Sequence, residues 1–441
     1  MTTLHLADQV VPVVGEPFLD GGVAVEGKRI VRVGTRRELG AEFPQAETRE
    51  YGKAAITPGL VNVHSHLEIT AMRGALDAVE DDFAAWLLRL NAIRTDLGEE
   101  GVLKGALLGA REGAAAGVTC FGDIGRLGRV GLEALKATGL RGIVFQETEF
   151  SPDNRTAKDD FLDLASRFER LKQEETELVR LALSPHSPYT VGSELFELLA
   201  QYSILNRIPL SIHAAESADE IELLAKGTGR FSAFYERANV EWASPFSTPI
   251  EYLERLGVLA TRPLLAHCVR VTENDIERIA ANGASVAHCP KSNAKFGHGA
   301  APLEKLLDAG ITVGLGSDSV ASNNVCDLLE ESRFAALTAR NRGDSARFIA
   351  AKEIFECATL GGARALGLDG VIGSLEEGKE ADLAVIDITQ EAQNPVSDIY
   401  AALVFSSNAR DVMATIVAGN EVYRRDGTDP RRAGDKLNGA I

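Results

Sequence analysis

The middle of the chain alternates short apolar runs with amphipathic helical stretches, and this alternation restricts the possible folds more than any other feature. Helical patterns such as SELFELLAQYSIL and ENDIERIAANG separate most of the runs. The eight runs are AITPGLVNV, VTCFGDI, RGIVFQE, VRLALSP, PLSIHAA, PLLAHCV, ASVAHCP and TVGLGSD. Eight β-then-α units predict an α/β fold, a parallel (β/α)8 barrel of the TIM type. A doubly wound open sheet is the alternative.

The two ends of the chain have a different texture, with the period-two alternation of strands. GGVAVEGKRIVRVG predicts a hairpin around Gly27, and VMATIVAGNEVYR predicts another with Gly419-Asn420 as its turn. We therefore predict one small β-sandwich domain built from both termini. Its first part is 1–55, the barrel is 56–369, and 370–441 supplies its second part and a C-terminal tail.

One connection between the runs is unusually long. Between Ser217 and Arg262 the chain inserts GTGRFSAFYERANVEWASPFSTP, which separates the fifth run from the sixth. Connections of this length are commonly functional lids or disordered segments. The aromatic residues of the insertion favour an ordered segment.

Composition excludes several classes of partner and compartment. A net charge of −18 argues against nucleic acid, which requires a basic surface. No apolar run is long enough to span a bilayer. Five cysteines without a CxxC pair are typical of free thiols in a reducing compartment. We expect a cytoplasmic homo-oligomer that binds a small-molecule substrate.

Six of the eight histidines fall at or just past the carboxyl ends of apolar runs, and an aspartate closes the eighth run. In a barrel these ends form the rim that carries the chemistry. Taken singly, a buried histidine is more often a hydrogen-bonded core residue, and an aspartate after a strand is often a helix N-cap. The residues at this predicted rim are His64, His66, His186, His213, His267, His288 and Asp318.

Four of these residues make a candidate metal site. His64 and His66 are two apart in a strand, so their side chains project to the same side. With His213 and Asp318 they offer three nitrogens and one carboxylate oxygen. Completed by a water molecule, this set suits Zn²⁺, or Fe²⁺ with similar ligands.

The ordered set of these residues resembles the amidohydrolase superfamily over nearly the whole chain. TPGLVNVHSHLEIT, LSPHSPYTV, IHAAE, AHCV, HCPKSNAKFGHGAAP and GSDSVASNN are similar to one branch. That branch holds methylthioadenosine/S-adenosylhomocysteine deaminases, aminodeoxyfutalosine deaminases and triazine chlorohydrolases. The resemblance implies that Glu216 and His267 are catalytic and that the four residues above hold the metal. The strand-four segment LALSPHSPY lacks the lysine typical of two-metal branches, which favours a single ion.

The resemblance implies a hydrolytic deaminase of an amino-purine nucleoside or a related aminated heterocycle. The metal would convert its bound water to a hydroxide that attacks the ring, with Asp318 accepting the proton of the water and His267 assisting. Glu216 would protonate a ring nitrogen, and ammonia would leave. The alternatives are a triazine-type chlorohydrolase, a cyclic-amide hydrolase and a non-catalytic assembly protein on the same scaffold. Glu216 could also be only a first-turn helix acid.

Substrate contacts are the remaining expectation. His186 and Glu216 are expected to face the substrate, although His186 could merely brace the rim. His288 could contact the ligand or support another residue by a hydrogen bond. Trp86 could cover a flat ring or belong to the core of its helix. His298, between two glycines, is interpreted as a solvated loop residue, and Cys268 and Cys289 as core residues.

Overall fold

A computed structural model describes residues 1–342 and 347–425 of the protein, and within them the chain forms sixteen strands and sixteen α-helices. The strands are β1 (Thr2–Val10), β2 (Phe18–Glu26), β3 (Arg29–Thr35), β4 (Glu47–Glu50), β5 (Ala54–Pro58), β6 (Leu60–Ser65), β7 (Val118–Gly125), β8 (Arg141–Glu147), β9 (Val179–Ser184), β10 (Ser211–Ala214), β11 (Leu264–His267), β12 (Ser285–His288), β13 (Val313–Leu315), β14 (Leu383–Asp387), β15 (Val412–Val417) and β16 (Asn420–Arg424). The helices are α1 (Arg36–Glu42), α2 (Phe83–Ala115), α3 (Arg129–Thr138), α4 (Ala157–Lys172), α5 (Ser193–Asn206), α6 (Ala218–Lys226), α7 (Arg230–Arg237), α8 (Pro249–Arg255), α9 (Glu273–Asn282), α10 (Pro290–Lys295), α11 (Leu303–Asp308), α12 (Val320–Asn323), α13 (Leu328–Asn341), α14 (Ala351–Cys357), α15 (Leu360–Ala365) and α16 (Ile399–Ala401). Among the described helices, none combines the length and apolar character needed to cross a membrane.

Strands β6 to β13 form the barrel. β6 to β9 pair in sequence order, as do β10 to β13, and all of these pairs are parallel. Parallel bridges between Leu183 and Leu210 and between Ser65 and Asp318 join the two halves and close the ring. The predicted barrel is confirmed, and the open sheet is wrong, because closure leaves no edge strand.

The first apolar run differs from its prediction as one strand. It divides at Gly59 into β5, which joins the terminal sheet, and β6, which opens the barrel. A Cβ on Gly59 would lie 2.2 Å from the side chain of Thr119, so only glycine allows this close approach. The apolar pattern continues across the break, which explains why it read as a single strand.

Both termini contribute to the second sheet, as predicted. It has eight strands in the order β16-β15-β14-β5-β1-β2-β3, with β4 paired to β1. The predicted hairpin turn lies between β2 and β3, where Gly27 takes a φ of +58°. Val10, Val23, Leu383 and Ile416 belong to one apolar core under this sheet. Strand β5 crosses the predicted domain boundary at 55/56, and the domain limits stay a prediction. The predicted tail beyond residue 425 lies outside the described residues.

A buried ionic network ties this sheet to the amino-terminal end of the barrel. Arg141, the first residue of β8, donates from Nε to Asp382 Oδ2 at 2.9 Å and from Nη2 to Asp382 Oδ1 at 3.0 Å. Its Nη2 also donates to Glu380 Oε2 at 2.7 Å, and Lys28 Nζ lies 3.1 Å from Glu380 Oε1. The contacts join the start of a barrel strand to the segment that enters β14.

The long insertion is ordered, as its aromatic residues predicted. It forms α6, α7 and α8, with Ser217 and Thr248 as side-chain N-caps of the first and third helices. Phe231 and Tyr235 of α7 are buried and pack into an apolar cluster with Trp86 of α2. This cluster forms a roof beside the carboxyl ends of the barrel strands.

Candidate active site

The carboxyl ends of β6, β10 and β13 bring the predicted metal ligands together. His66 Nε2 lies 3.2 Å from His213 Nε2, and Asp318 Oδ1 lies 3.5 Å from the Nε2 atoms of both His64 and His66. The ring of His64 is 4.8 Å from that of His213, centroid to centroid. Four residues that are distant in the sequence therefore form one cluster, as the shared rim predicted.

Hydrogen bonds on the far side of two imidazoles fix which nitrogen faces the cluster. His66 Nδ1 donates to the carbonyl of Ile124 at 3.1 Å, and His213 Nδ1 donates to the carbonyl of His186 at 3.0 Å. Both Nε2 atoms therefore present lone pairs, and they do so towards each other. Two facing lone pairs at 3.2 Å repel unless a cation or proton lies between them.

A shared proton does not account for the facing Nε2 atoms of His66 and His213, because neither ring is readily protonated. Burial, followed by the charge of His64, lowers the pKa of His66 to about 3. Burial also places the pKa of His213 well below its ordinary value. Neither ring nitrogen of His64 has a hydrogen-bond partner among the described residues, although His64 is fully buried. His66 and His213 therefore offer neutral imidazoles, the form that a metal ion requires.

Asp318 completes the donor set. Its Oδ2 accepts hydrogen bonds from Ser292 Oγ at 2.6 Å and Ser322 Oγ at 2.9 Å, so Oδ1 is turned towards the histidines. Burial favours the neutral carboxyl group, but the neighbouring imidazoles, His64 first among them, together outweigh burial and hold the pKa of Asp318 well below the ordinary value. Three imidazole nitrogens and one carboxylate oxygen fit a zinc-type site.

Glu216 and His267 lie beside this cluster, as predicted. His267 ends β11, and its Nε2 is 3.6 Å from Glu216 Oε1. Glu216 follows β10, and the carboxylate of Glu220 fixes its backbone by accepting from the Glu216 N–H at 2.8 Å. Tyr189 donates its hydroxyl hydrogen to Glu216 Oε2 at 3.4 Å.

The surroundings of Glu216 favour a neutral carboxyl group. Burial, followed by the charge of Asp318, raises the pKa of Glu216 well above its ordinary value. Burial lowers the pKa of His267 to about 4, so this imidazole is neutral. His267 Nδ1 donates to Asn293 Oδ1 at 2.9 Å, which leaves a lone pair on Nε2, the atom that faces Glu216.

A cavity of about 650 Å³ opens over these residues. His66, His213, Glu216, His267 and Asp318 line its floor. Aromatic and apolar side chains line the rest of the cavity together with polar ones. The aromatic and apolar residues are Phe83, Trp86, Leu90, Tyr189, Phe231, Phe234 and Phe296; the polar ones are Asn91, Arg94, Arg126, Glu147, Thr148 and His186.

The predicted substrate contacts do not all reach this cavity. His186 lines it, with Nδ1 held by Thr190 Oγ1 at 2.8 Å and Nε2 at 3.7 Å from Glu147 Oε1. Trp86 lines it and also packs edge-on against Phe296, so it belongs to both the wall and the core. His288 is buried outside the lining, and neither of its ring nitrogens has a hydrogen-bond partner among the described residues.

The sequence interpretation was wrong about His298. We expected a solvated loop residue, but His298 is buried and its Nε2 lies 3.6 Å from Glu216 Oε1. Its loop has no period that would place a side chain inward. The flanking glycines, with φ of +68° at Gly297 and +110° at Gly299, were the available signal, because they allow the tight turn that directs this ring inward. Cys268 and Cys289 are buried, as expected of core residues.

Known proteins share this combination of barrel, terminal sheet and rim. The model of the amidohydrolase family matches residues 55–422. The chain belongs to this family. The amidohydrolase chain also matches, over residues 21–46, a bacterial imidazolonepropionase-like composite domain.

Individual relatives of this amidohydrolase extend the comparison. A 5-methylthioadenosine/S-adenosylhomocysteine deaminase of Syntrophobacter fumaroxidans is 32% identical over 411 residues, which cover 92% of this chain and 89% of that protein. The structure of an adenosine deaminase from Xanthomonas campestris with bound zinc has a TM-score of 0.84 at 28% identity, and it covers 98% and 96% of the two chains. An aminofutalosine deaminase from Helicobacter pylori in complex with methylthio-coformycin has a TM-score of 0.80 at 22% identity, covering 96% and 100%, a likeness of fold alone.

Proposed function

We propose that this amidohydrolase is a metal-dependent deaminase that hydrolyses an aminated purine nucleoside or a related aminated heterocycle and releases ammonia. The observation that carries the proposal is Glu216, a buried carboxyl group with a raised pKa on the floor of the cavity that the ligand cluster also lines. Deamination of an aromatic ring needs an acid placed there, because a ring nitrogen must gain a proton as the nucleophile adds. The names of the Syntrophobacter and Xanthomonas relatives agree with this reaction.

One divalent ion, with Zn²⁺ favoured over Fe²⁺, would be held by His64, His66, His213 and Asp318. Bound there, it would activate a water molecule as the nucleophile. The facing lone pairs and the unpartnered nitrogens of His64 support this ligand set. A single ion is supported by the lining of the cavity, in which the described part of the chain places no lysine.

Asp318 and His267 act on the nucleophile from the chain's side. Asp318 Oδ1 accepts the proton of the water, while the two serine hydroxyls on Oδ2 keep the carboxylate in place. His267 Nε2, a lone pair held in position through Asn293, accepts a hydrogen bond from the same water. These residues orient the water and remove its proton, and Asp318 then passes that proton to the amino group, which leaves as ammonia.

Glu216 supplies the acid. Burial raises its pKa and so favours the protonated carboxyl group, which can give its proton to a ring nitrogen. The aromatic wall that includes Phe83 and Trp86 provides a flat, apolar surface for the ring. His186, which lines the cavity, would contact a substituent of the ring.

The proposal is tested by measuring product release from purified, zinc-loaded protein. Adenosine, 5′-methylthioadenosine, S-adenosylhomocysteine and aminodeoxyfutalosine are scored for ammonia, a chlorotriazine for chloride, and a cyclic amide for ring opening. We expect ammonia from at least one nucleoside. Release of chloride or ring opening without ammonia would overturn the proposal in favour of the other reactions.

Glu216→Gln gives the matched test of the acid. The amide keeps the shape of the side chain and removes the transferable proton, so turnover should fall about 10²-fold or more while bound zinc stays at one per chain. Ammonia release at the wild-type rate in this variant would show that Glu216 is not the acid.

A further inference from the structure

His298 shares an oxygen atom with His267. The Nε2 atoms of both rings lie 3.6 Å from Glu216 Oε1. The ring of His298 is 5.2 Å from that of Phe296 and nearly parallel to it, and 5.1 Å from that of Phe83 and perpendicular to it. Within the described residues its buried Nε2 has no hydrogen-bond partner. The aromatic contacts therefore hold an unused nitrogen against the carboxyl group of Glu216.

The loop that carries His298 is fixed to the same supports as His267. The His298 N–H donates to the carbonyl of Asn293 at 2.9 Å, and the Asn293 side chain accepts from His267 Nδ1 at 2.9 Å. Arg270, three residues after His267, donates from Nη2 to the carbonyl of His298 at 3.0 Å. One asparagine therefore bonds the ring of His267 and the backbone of His298, which ties the positions of the two residues to each other.

The two imidazoles offer Glu216 different groups. His267 presents a lone pair, because its Nδ1 carries the hydrogen that Asn293 accepts. Once Glu216 has given its proton to a substrate, it is a buried carboxylate whose Oε2 accepts from Tyr189 and whose Oε1 lies 3.6 Å from both imidazoles. A buried carboxylate without a donor is costly. His298 Nε2 is placed to supply that donor to Oε1.

We propose that His298 is a positioning residue for Glu216: its Nε2–H donates to Oε1 and holds the carboxyl group in place as the proton leaves. This inference rests on the role proposed above for Glu216. Distances of 3.6 Å in the free protein shorten in a substrate complex, as is common for catalytic hydrogen bonds. A neutral donor suits the task, since it stabilises the carboxylate without the strong ion pair that would prevent it from regaining a proton.

The test compares His298→Phe with His298→Gln. Phenylalanine keeps a flat ring against Phe83 and Phe296 but removes the donor, whereas glutamine keeps an N–H. We expect kcat to fall about 10- to 100-fold in His298→Phe with KM within about threefold, the scale for loss of a precise position. His298→Gln should recover kcat to within about fivefold of wild type, and both variants should hold zinc normally.

A double-mutant cycle separates positioning from a general structural effect. In a Glu216→Gln background, His298→Phe should lower kcat less than about threefold further, because the group that it positions is already gone. Full additivity of the two losses would overturn the inference. So would equal losses in His298→Phe and His298→Gln, or a change confined to KM.

A second readout is independent of turnover. In crystals of zinc-loaded protein, the Glu216 carboxyl group should have one orientation in wild type and His298→Gln, and a changed or multiple orientation in His298→Phe. An unchanged Glu216 in His298→Phe would overturn the inference. If wild-type protein releases no ammonia, the proposed reaction fails, and this comparison still decides whether His298 positions Glu216.

Discussion

At the amino-terminal end of the barrel strands, buried Arg141 donates three hydrogen bonds to Asp382 and Glu380. At the carboxyl ends, buried His64 has neither ring nitrogen bonded within the described residues. The first arrangement satisfies its charges inside the chain, as a structural ion pair must. The second leaves donor atoms free for something from outside, at a cost in stability. The comparison distinguishes a buried residue whose polar atoms are satisfied within the chain from one whose ring nitrogens are left unbonded among the described residues.

The largest effect should come from a substitution at the carboxyl ends of the barrel strands. His64→Ala removes one ligand from a cluster whose remaining nitrogens repel one another, so we expect zinc to be lost and turnover to fall about 10⁴-fold or more. The measurement is zinc per chain by elemental analysis, with ammonia release alongside. The matched control is His5→Asn, which changes a buried histidine bonded to Tyr51 in the terminal sheet and should leave zinc unchanged. Zinc retained at one per chain in His64→Ala would refute the ligand assignment.

A substitution at the amino-terminal end of the barrel strands should lower stability and leave zinc binding unchanged. Arg141→Met leaves the carboxyl groups of Asp382 and Glu380 buried without their main partner, and we expect unfolding free energy to fall by about 3–5 kcal/mol. Zinc per folded chain should not change. Denaturant unfolding measures the loss, and Arg129→Met, which breaks an exposed pair with Glu133 on α3, serves as the control, in which we expect no measurable loss. Equal losses in the two variants would remove the distinction between buried and exposed pairs.

The sequence predicted the cluster at the carboxyl ends of the barrel strands better than the ionic network at the amino-terminal end, and the reasons are physical. Metal ligands in a barrel share a rim and are commonly histidine or carboxylate, so His64, His66, His213 and Asp318 could be selected as candidate ligands from strand ends and residue type. Arg141 carries no such mark, because a charged residue at the start of a strand resembles an ordinary exposed one. Its partners lie about 240 residues away in the chain. Only the folded sheet brings them together.

Two further differences have the same origin. His298 lies in a loop, where neither the strand period nor the helix period predicts which way a side chain points. The division of the first apolar run at Gly59 depends on the close approach of Thr119, a contact that no local pattern contains. Residue type and periodicity therefore placed the candidate ligands at one rim, and long-range packing decided which other residues surround them.

A smaller effect is expected on the pH dependence of stability, through the ionic network of Arg141, Asp382 and Glu380. Burial opposes ionisation of Glu380, but hydrogen bonds from Arg141 and Lys28 outweigh burial and hold the pKa of its carboxyl group below the ordinary value. A lowered pKa stabilises the folded protein above the ordinary value, and this contribution is lost as pH falls through the lowered pKa. In Arg141→Met burial should dominate, so the pKa rises and acid relieves the buried charge. The stability difference between wild type and variant should therefore shrink by about 1 kcal/mol between pH 7 and pH 4.5. Denaturant unfolding at both pH values measures it, and a difference that widens in acid would contradict the assignment.

The smallest effect is expected at the mouth of the cavity, where Arg230 of α7 pairs with Asp82, the N-cap of α2, at 3.0 Å. Both side chains are about half exposed, so water and salt screen the pair, and it should contribute at most about 1 kcal/mol. Because it joins the insertion to the far side of the mouth, its loss in Arg230→Met should act on substrate entry and raise KM by up to about fivefold, with kcat unchanged. Arg230→Lys keeps the charge and should restore KM, and high salt should remove the difference between all three proteins. A fall in kcat of tenfold or more would contradict this prediction. It would show that an exposed ion pair affects the chemical step as strongly as a buried one.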